Sequence, residues 1–179
     1  MASTISAGTT SGTAIAIAGD TSGNLALLTQ AGANTITVPN ATGTMMVSGN
    51  MPAFSAYLSA DQTVSASAFV KVLLDTESFD TNNNFASSRF TPTIAGYYQI
   101  SAGLRVPVST TPICVIYKNG SAYARGSYTA VSTYNSVASV LVYCNGSTDY
   151  IELYGYTNLT TFSGIQSETF MSGVLVRAA

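Results

Sequence analysis

Asp75, Glu77 and Asp80 form the one acidic cluster of this 179-residue chain, and three carboxylates within six positions invite two kinds of chemistry. They could pair for proton transfer or converge on a divalent cation. A hard cation needs several convergent oxygens on a rigid loop, and this spacing secures no such convergence, so the triplet reads as a solvated strand end and loop. The chain has no histidine, which excludes Ser-His-Asp and Cys-His arrangements and the commonest metal ligand. Its two cysteines, Cys114 and Cys144, cannot complete a tetrahedral zinc site without acids. Each lies in an apolar run and reads as a buried thiol, with a single bridge left open. No Gly-rich loop carries a phosphate-binding Lys. An enzyme is not expected, nor is a cofactor or a bound metal.

The tyrosines offer different chemistry. Tyr117, Tyr123, Tyr128, Tyr134, Tyr150, Tyr154 and Tyr156 stand among Ser, Thr and Asn. On exposed loops such residues make an adaptable surface for carbohydrate or protein. On strands they fill a core. Tyr117 and Tyr150 lie in strand-like runs and are expected in the sandwich or a trimer core. Tyr123, Tyr128 and Tyr134 fall in a Ser/Thr-rich stretch and form the candidate ligand loop. Residues 121–135 and 157–168 are the expected contact loops.

Composition says what must position these side chains. There are six Lys/Arg and eight Asp/Glu, eleven Tyr and seven Phe, and no Trp. Abundant aromatic and β-branched residues with few long charged ones argue for an all-β protein. The cations are scattered singly and the net charge is −2, so neither nucleic acid nor an anionic membrane is an expected partner. No apolar run is long enough to cross a bilayer as a helix, and no cationic start precedes an apolar core of the Sec type. Assembly in a cytoplasm is the expectation. Asn-x-Ser/Thr matches at Asn40, Asn119, Asn145 and Asn158 are what chance gives in such a chain.

Composition shifts near residue 50. Residues 1–50 hold one charge, Asp20, and no aromatic ring. Short apolar segments carry Ile15 and Ile17, then Leu25 and Leu27, then Ile36 and Val38, split by Gly, Asn and Ala. They are too small to build a core, so the segment is expected to be an extended β arm or stalk that buries its apolar side elsewhere. A disordered linker is the other reading.

From Met51 onward, residues 51–179 read as a compact β domain. Tyr97–Val106 alternates over ten residues, with Tyr98, Ile100, Ala102, Leu104 and Val106 on one face. Phe69–Leu74 is a nearly continuous apolar run, expected as a strand covered on both faces. Ile113–Lys118 precedes Asn119-Gly120, and Ser136–Cys144 precedes Asn145-Gly146, so two hairpin turns are expected. Tyr150–Tyr156 and Phe170–Val176 complete roughly eight strands, a sandwich or jelly roll.

Five of these segments resemble, in order, the globular head of complement C1q and its tumour-necrosis-factor-like superfamily. Pro52-Ala53-Phe54-Ser55-Ala56 is similar to the opening A-F-S-A strand. Val72–Phe79 followed by Asn82-Asn83-Asn84-Phe85 resembles the second strand and its Asn-rich loop. Phe90–Gly96 with Tyr97-Tyr98 resembles the F…G-x-Y passage, and Lys118-Asn119-Gly120 the K-N-G turn. Met171-Ser172-Gly173-Val174-Leu175 resembles the closing F-S-G-F-L strand. Departures are a displaced Pro92, Ile100 in place of Phe, and Met171 and Val174 at positions normally aromatic. The loop acids that hold calcium in some members have no secure counterpart.

The resemblance implies a ten-stranded jelly roll assembled as a homotrimer, with Phe54, Tyr98, Ile100, Leu104, Met171 and Leu175 in its core or trimer contact. Residues 1–50 in turn resemble segments that precede such domains in bacteriophage structural proteins, through Thr4-Ile5-Ser6-Ala7-Gly8 and Gly19-Asp20-Thr21-Ser22-Gly23. Together they imply a virion-surface fibre or spike, anchored to capsid or tail proteins through residues 1–50 and contacting a host glycan or protein. A capsid decoration protein is the alternative, and a lectin-like module unrelated to phage a third.

Overall fold

A computed structural model describes residues 51–126 and 132–179 in full, and 25–28 and 35–38 by their backbone alone. The chain divides into two units, Met1–Thr44 and Met45–Ala179. In the first, β1 (Leu25–Leu28) pairs antiparallel with β2 (Thr35–Val38). The register sets Leu25 opposite Val38 and Leu27 opposite Ile36, which gathers four of the six arm positions singled out above. Ile15 and Ile17 lie outside the described residues. A two-stranded ladder is marginal by itself in water.

The second unit is all-β, with no helix among its described residues. Its short early strands are β3 (Ala53–Tyr57), β4 (Gln62–Thr63), β5 (Ala68–Lys71), β6 (Thr76–Asp80), β7 (Phe85–Ala86) and β8 (Arg89–Phe90). The long ones follow: β9 (Gly96–Thr110), β10 (Ile113–Lys118), β11 (Ser121–Arg125), β12 (Thr133–Cys144), β13 (Ile151–Thr157) and β15 (Phe170–Ala178), with β14 (Thr161–Phe162) before the last. One sheet runs β12-β9-β15-β3-β6 and is called the β9 sheet. The other, the β13 sheet, runs β11-β10-β13-β8-β7, with β5 also on β13.

Alternation along β9 builds the core. Tyr98, Ile100, Ala102, Leu104 and Val106 are all buried, and the intervening residues face away. Phe54 stacks between Phe85 at 5.3 Å and Phe90 at 4.2 Å, and Phe90 meets the Tyr98 edge at 5.4 Å. Each large side chain so buried contributes about 1.5–3 kcal/mol. The one polar atom carried into this cluster, the Tyr98 hydroxyl, donates to the Ile94 carbonyl at 2.7 Å. Burial holds that phenol above its usual pKa. Phe54, Tyr98, Ile100, Leu104, Met171 and Leu175 all lie inside this single-chain core, so they are not themselves an exposed contact surface.

Two sequence expectations change. Asn119-Gly120 is a two-residue hairpin turn, because Asn119 (φ 52°) and Gly120 (φ 77°) both adopt the left-handed conformation that joins β10 to β11. Asn145-Gly146 is not a hairpin. It lies between β12 of one sheet and β13 of the other, so the chain changes sheets there. The Asn145 side-chain oxygen accepts from the amides of Ser147, Thr148 and Asp149, which rounds the corner. The second correction concerns Phe69–Leu74. Ala68–Lys71 pairs on one side with β13, and the Val72 amide still donates to the Leu153 carbonyl of β13 at 2.9 Å; Val72 and Leu74 turn inward while Leu73 is exposed. Its apolar run marks an edge passing from strand into core, not a strand covered on both faces.

Candidate functional site

The expected contact loops are strand only in part: β11 and the start of β12 fall within 121–135, whereas most of 157–168 is turn and loop around β14. Tyr123 lies on edge strand β11 of the β13 sheet, and Tyr134 on edge strand β12 of the β9 sheet. Both are exposed, and the Tyr134 ring lies 5.3 Å from the Arg105 guanidinium. Tyr128 lies outside the described residues. In the stretch 157–168, Thr157, Phe162 and Ser163 are buried, and Ser163 donates its amide to the Arg105 carbonyl at 2.9 Å. Asn158, Thr160, Ile165, Gln166 and Ser167 of the same segment are exposed, so it meets solvent at two short turns between the parts packed onto the sandwich.

The acidic triplet does not converge. The Asp75 carboxylate accepts from the Ser59 amide and hydroxyl, both at 2.9 Å. Burial raises its pKa, but the bonds from Ser59 and Thr76 outweigh that and leave it lowered. Asp80 accepts from the Phe85 amide at 2.7 Å and the Asn82 amide at 3.3 Å, fixing the Asn-rich loop. Glu77 points to solvent. No group of three metal-ligating side chains occurs among the described residues. Cys114 and Cys144 are free and buried.

Two surfaces remain as sites, one on the outward face of each sheet. On the β9 sheet, large apolar side chains are exposed, from 42% at Tyr97, Tyr143 and Val174 to 50% at Leu141 and Phe79 and 60% at Val137. The middle of this face is polar and uncharged: Gln99 donates to the Ser139 hydroxyl at 2.8 Å, which lies 3.0 Å from that of Ser101. A shallow groove of about 250 Å³ runs over Ser172 and Gly173, walled by Phe79, Gln99 and Val174. An ion pair, Arg105 with Glu168, stands at one end. So many large apolar side chains exposed on one sheet face suit burial by another surface.

On the β13 sheet, Tyr150, Glu152, Tyr154 and Tyr156 alternate with Ile151 and Leu153, which are in the core. Strand pairing sets Tyr154 opposite Lys71 and Tyr156 opposite Phe69 on β5, and Tyr117 opposite Glu152 on β10. The Tyr117 and Tyr154 rings stack at 3.9 Å, and Phe69 lies 5.2 Å from Tyr156. Arg89 sits 3.8 Å above the Tyr150 ring and Arg125 4.8 Å above Phe69. Glu152, only 3% exposed, receives Lys71 at 2.7 Å and Arg89 at 2.9 Å. Burial, followed by the negative charge of Glu152, raises the Tyr154 pKa. Tyr117 and Tyr150, expected in the sandwich or a trimer core, are half-buried rings on an outward face and do not lie in the sandwich core. Sequence reasoning saw the Tyr/Glu alternation of β13 but not the cations, which arrive from three other strands.

No family model matches the chain, and no curated protein is similar to it. Solved structures are. A crystal structure of murine APRIL aligns with a TM-score of 0.57 at 10% identity, over 70% of this chain and 99% of that one. Eiger TNF from S. frugiperda aligns at 0.54 and 11% identity, over 72% of this chain and 93% of its own. The globular domain of a zebrafish complement 1qA protein aligns at 0.50 and 14% identity, over 72% and 99%. At these identities the likeness is one of fold: the second unit is a C1q/TNF-like jelly roll.

Proposed function

We propose that the chain is a non-enzymatic bacteriophage virion protein, a homotrimeric surface fibre or spike whose jelly-roll head meets the host surface. The observation that carries the trimer is the exposed apolar face of the β9 sheet. Three copies packed around a common axis would remove Tyr97, Val137, Leu141 and Val174 from water, and the C1q/TNF-like fold implies that mode of association. Trimerisation adds avidity, so each head contact can be weak. Support for attachment through residues 1–50 comes from their phage-like phrases and from the paired β1 and β2, an apolar ladder too small to stand alone.

Sedimentation of the purified chain tests the trimer; a monomer at all concentrations would end that reading. Reconstruction of a virion tests the place. Density at a tail or spike position is the expected result, whereas a trimer clamping capsid three-fold positions would make the protein a capsid decoration factor. Removal of residues 1–50 is expected to leave a folded trimeric head that no longer joins particles.

A further inference from the structure

We infer that the outward face of the β13 sheet is a binding site for an acidic, carboxylate-bearing oligosaccharide. Lys71, Arg89 and Arg125, three of the six cations in the chain, reach this face, although the chain as a whole has net charge −2. Glu152, the carboxylate of this face, is buried and already held by Lys71 and Arg89. The other acids of the described residues are engaged or placed elsewhere: Asp149 with Lys118, Glu168 with Arg105, Asp75 with Ser59. The face therefore keeps net positive charge, and Arg125 has no carboxylate partner among the described residues. Its planar fork suits a carboxylate.

The rings supply the second half of the recognition. Tyr154, Tyr117 and Tyr156 are half-buried on strands that pack the core below, so they are fixed before any ligand arrives. A sugar ring presents one C–H face that lies against an aromatic ring, and hydroxyls that reach the phenol oxygens around it. Rigid tyrosines give such contact area at small entropic cost. A neutral glycan would use the rings and waste the cations; a bare anion would use the cations and waste the rings. A uronate- or sialate-type chain uses both.

The inference deepens the host-contact role proposed above, yet it is read on purified protein, so its failure would leave trimer and particle location untouched. The full chain is titrated calorimetrically, near physiological ionic strength, with an oligogalacturonate, with its neutral galactose counterpart and with a sulfated oligosaccharide. Saturable binding of the uronate is expected, at least about ten-fold tighter than the neutral chain. R125Q should weaken it about ten-fold. Y154F, which keeps the ring but loses the phenol oxygen, should weaken binding by less than about ten-fold, and Y154A should not bind. Circular dichroism of each variant checks that the sandwich is intact, and R125Q, changed at an exposed position, keeps the test valid should Y154A unfold. No uronate binding, unchanged affinity in R125Q, or tighter binding of the sulfated chain that survives Y154A would overturn the inference, the last because it is simple ion exchange.

Discussion

The two outward faces of the sandwich are finished in opposite ways. On the β9 sheet the exposed rings and aliphatic chains stand over a polar, uncharged centre, and the charge lies at the margin, as with Arg105 and Glu168. On the β13 sheet the rings cover one another, and cations lie across them around a buried carboxylate. Both faces come from the same period-two alternation. The difference teaches that outward apolar residues do not by themselves mark an interface. A face whose rings stack on one another beneath Arg stems tolerates water and can stand open to a polar ligand, whereas one whose Val and Leu stand alone needs another apolar surface.

The largest effect should come from charging the uncovered face. V137E combined with L141E places carboxylates where a copy would pack, and sedimentation should show complete loss of the trimer. Thermal unfolding should stay cooperative, because both positions are exposed in the single chain. A trimer that survives this pair would remove the contrast between the faces. Next is the keystone of the covered face. Glu152 pairs with both Lys71 and Arg89, and breaking a fully buried pair costs about 3–5 kcal/mol. Both cations here keep contact with water, with side chains 24% and 42% exposed, so E152Q should cost less, about 2 kcal/mol, in urea unfolding. Its trimer should be unaffected.

Local pattern made much of the fold legible. The alternation of β9 and β13, the Asn119-Gly120 turn and the apolar β15 stand in the sequence because each is decided by neighbours within a few residues. What depended on partners far along the chain did not. Asn145-Gly146 has the composition of a hairpin turn, yet which sheets β12 and β13 join is settled by Cys144 pairing with Gly96 and Ile151 with Lys118. Tyr117 and Tyr154 alternate as strand residues should, but alternation does not say which of two faces is solvent. Lys71, Arg89 and Arg125 read as scattered cations because strand order, not spacing, brings them together. Tyr123 and Tyr134 were singled out by composition, and the structure places them on edge strands of different sheets.

A smaller effect is expected at the seam between the sheets. Lys118 of β10 donates to the Tyr143 carbonyl of β12 at 2.7 Å and pairs with Asp149 at 2.9 Å, which Asn119 also holds at 2.7 Å. The Asn119 and Lys118 bonds hold the Asp149 carboxyl below its usual pKa. A carboxyl depressed in the folded state stabilises fully above its unfolded pKa of about 4, and that share is lost as pH falls through the lower folded value. Wild type should therefore lose more stability than D149N between neutral pH and acid below that value. The comparison is read from urea midpoints at each pH, and equal losses would remove Asp149 from the seam.

The cysteines report the same seam with the smallest perturbation. Burial raises the Cys114 thiol to about 12 and the Cys144 thiol to about 11. Thiolate is therefore scarce at neutral pH, and neither should react with a maleimide while the protein is native. Labelling then requires opening, and the two thiols sample different openings. Cys114 lies within β10 between β11 and β13, so its exposure needs much of the β13 sheet to part. Cys144 ends β12 beside the Lys118–Asp149 pair, where loss of one ion pair suffices for local separation. D149N should therefore speed Cys144 labelling several-fold and leave Cys114 nearly unchanged, as mass spectrometry of the labelled peptides would show. Equal acceleration at both would mean that the sheets open together, and that the two faces are parts of one cooperative unit.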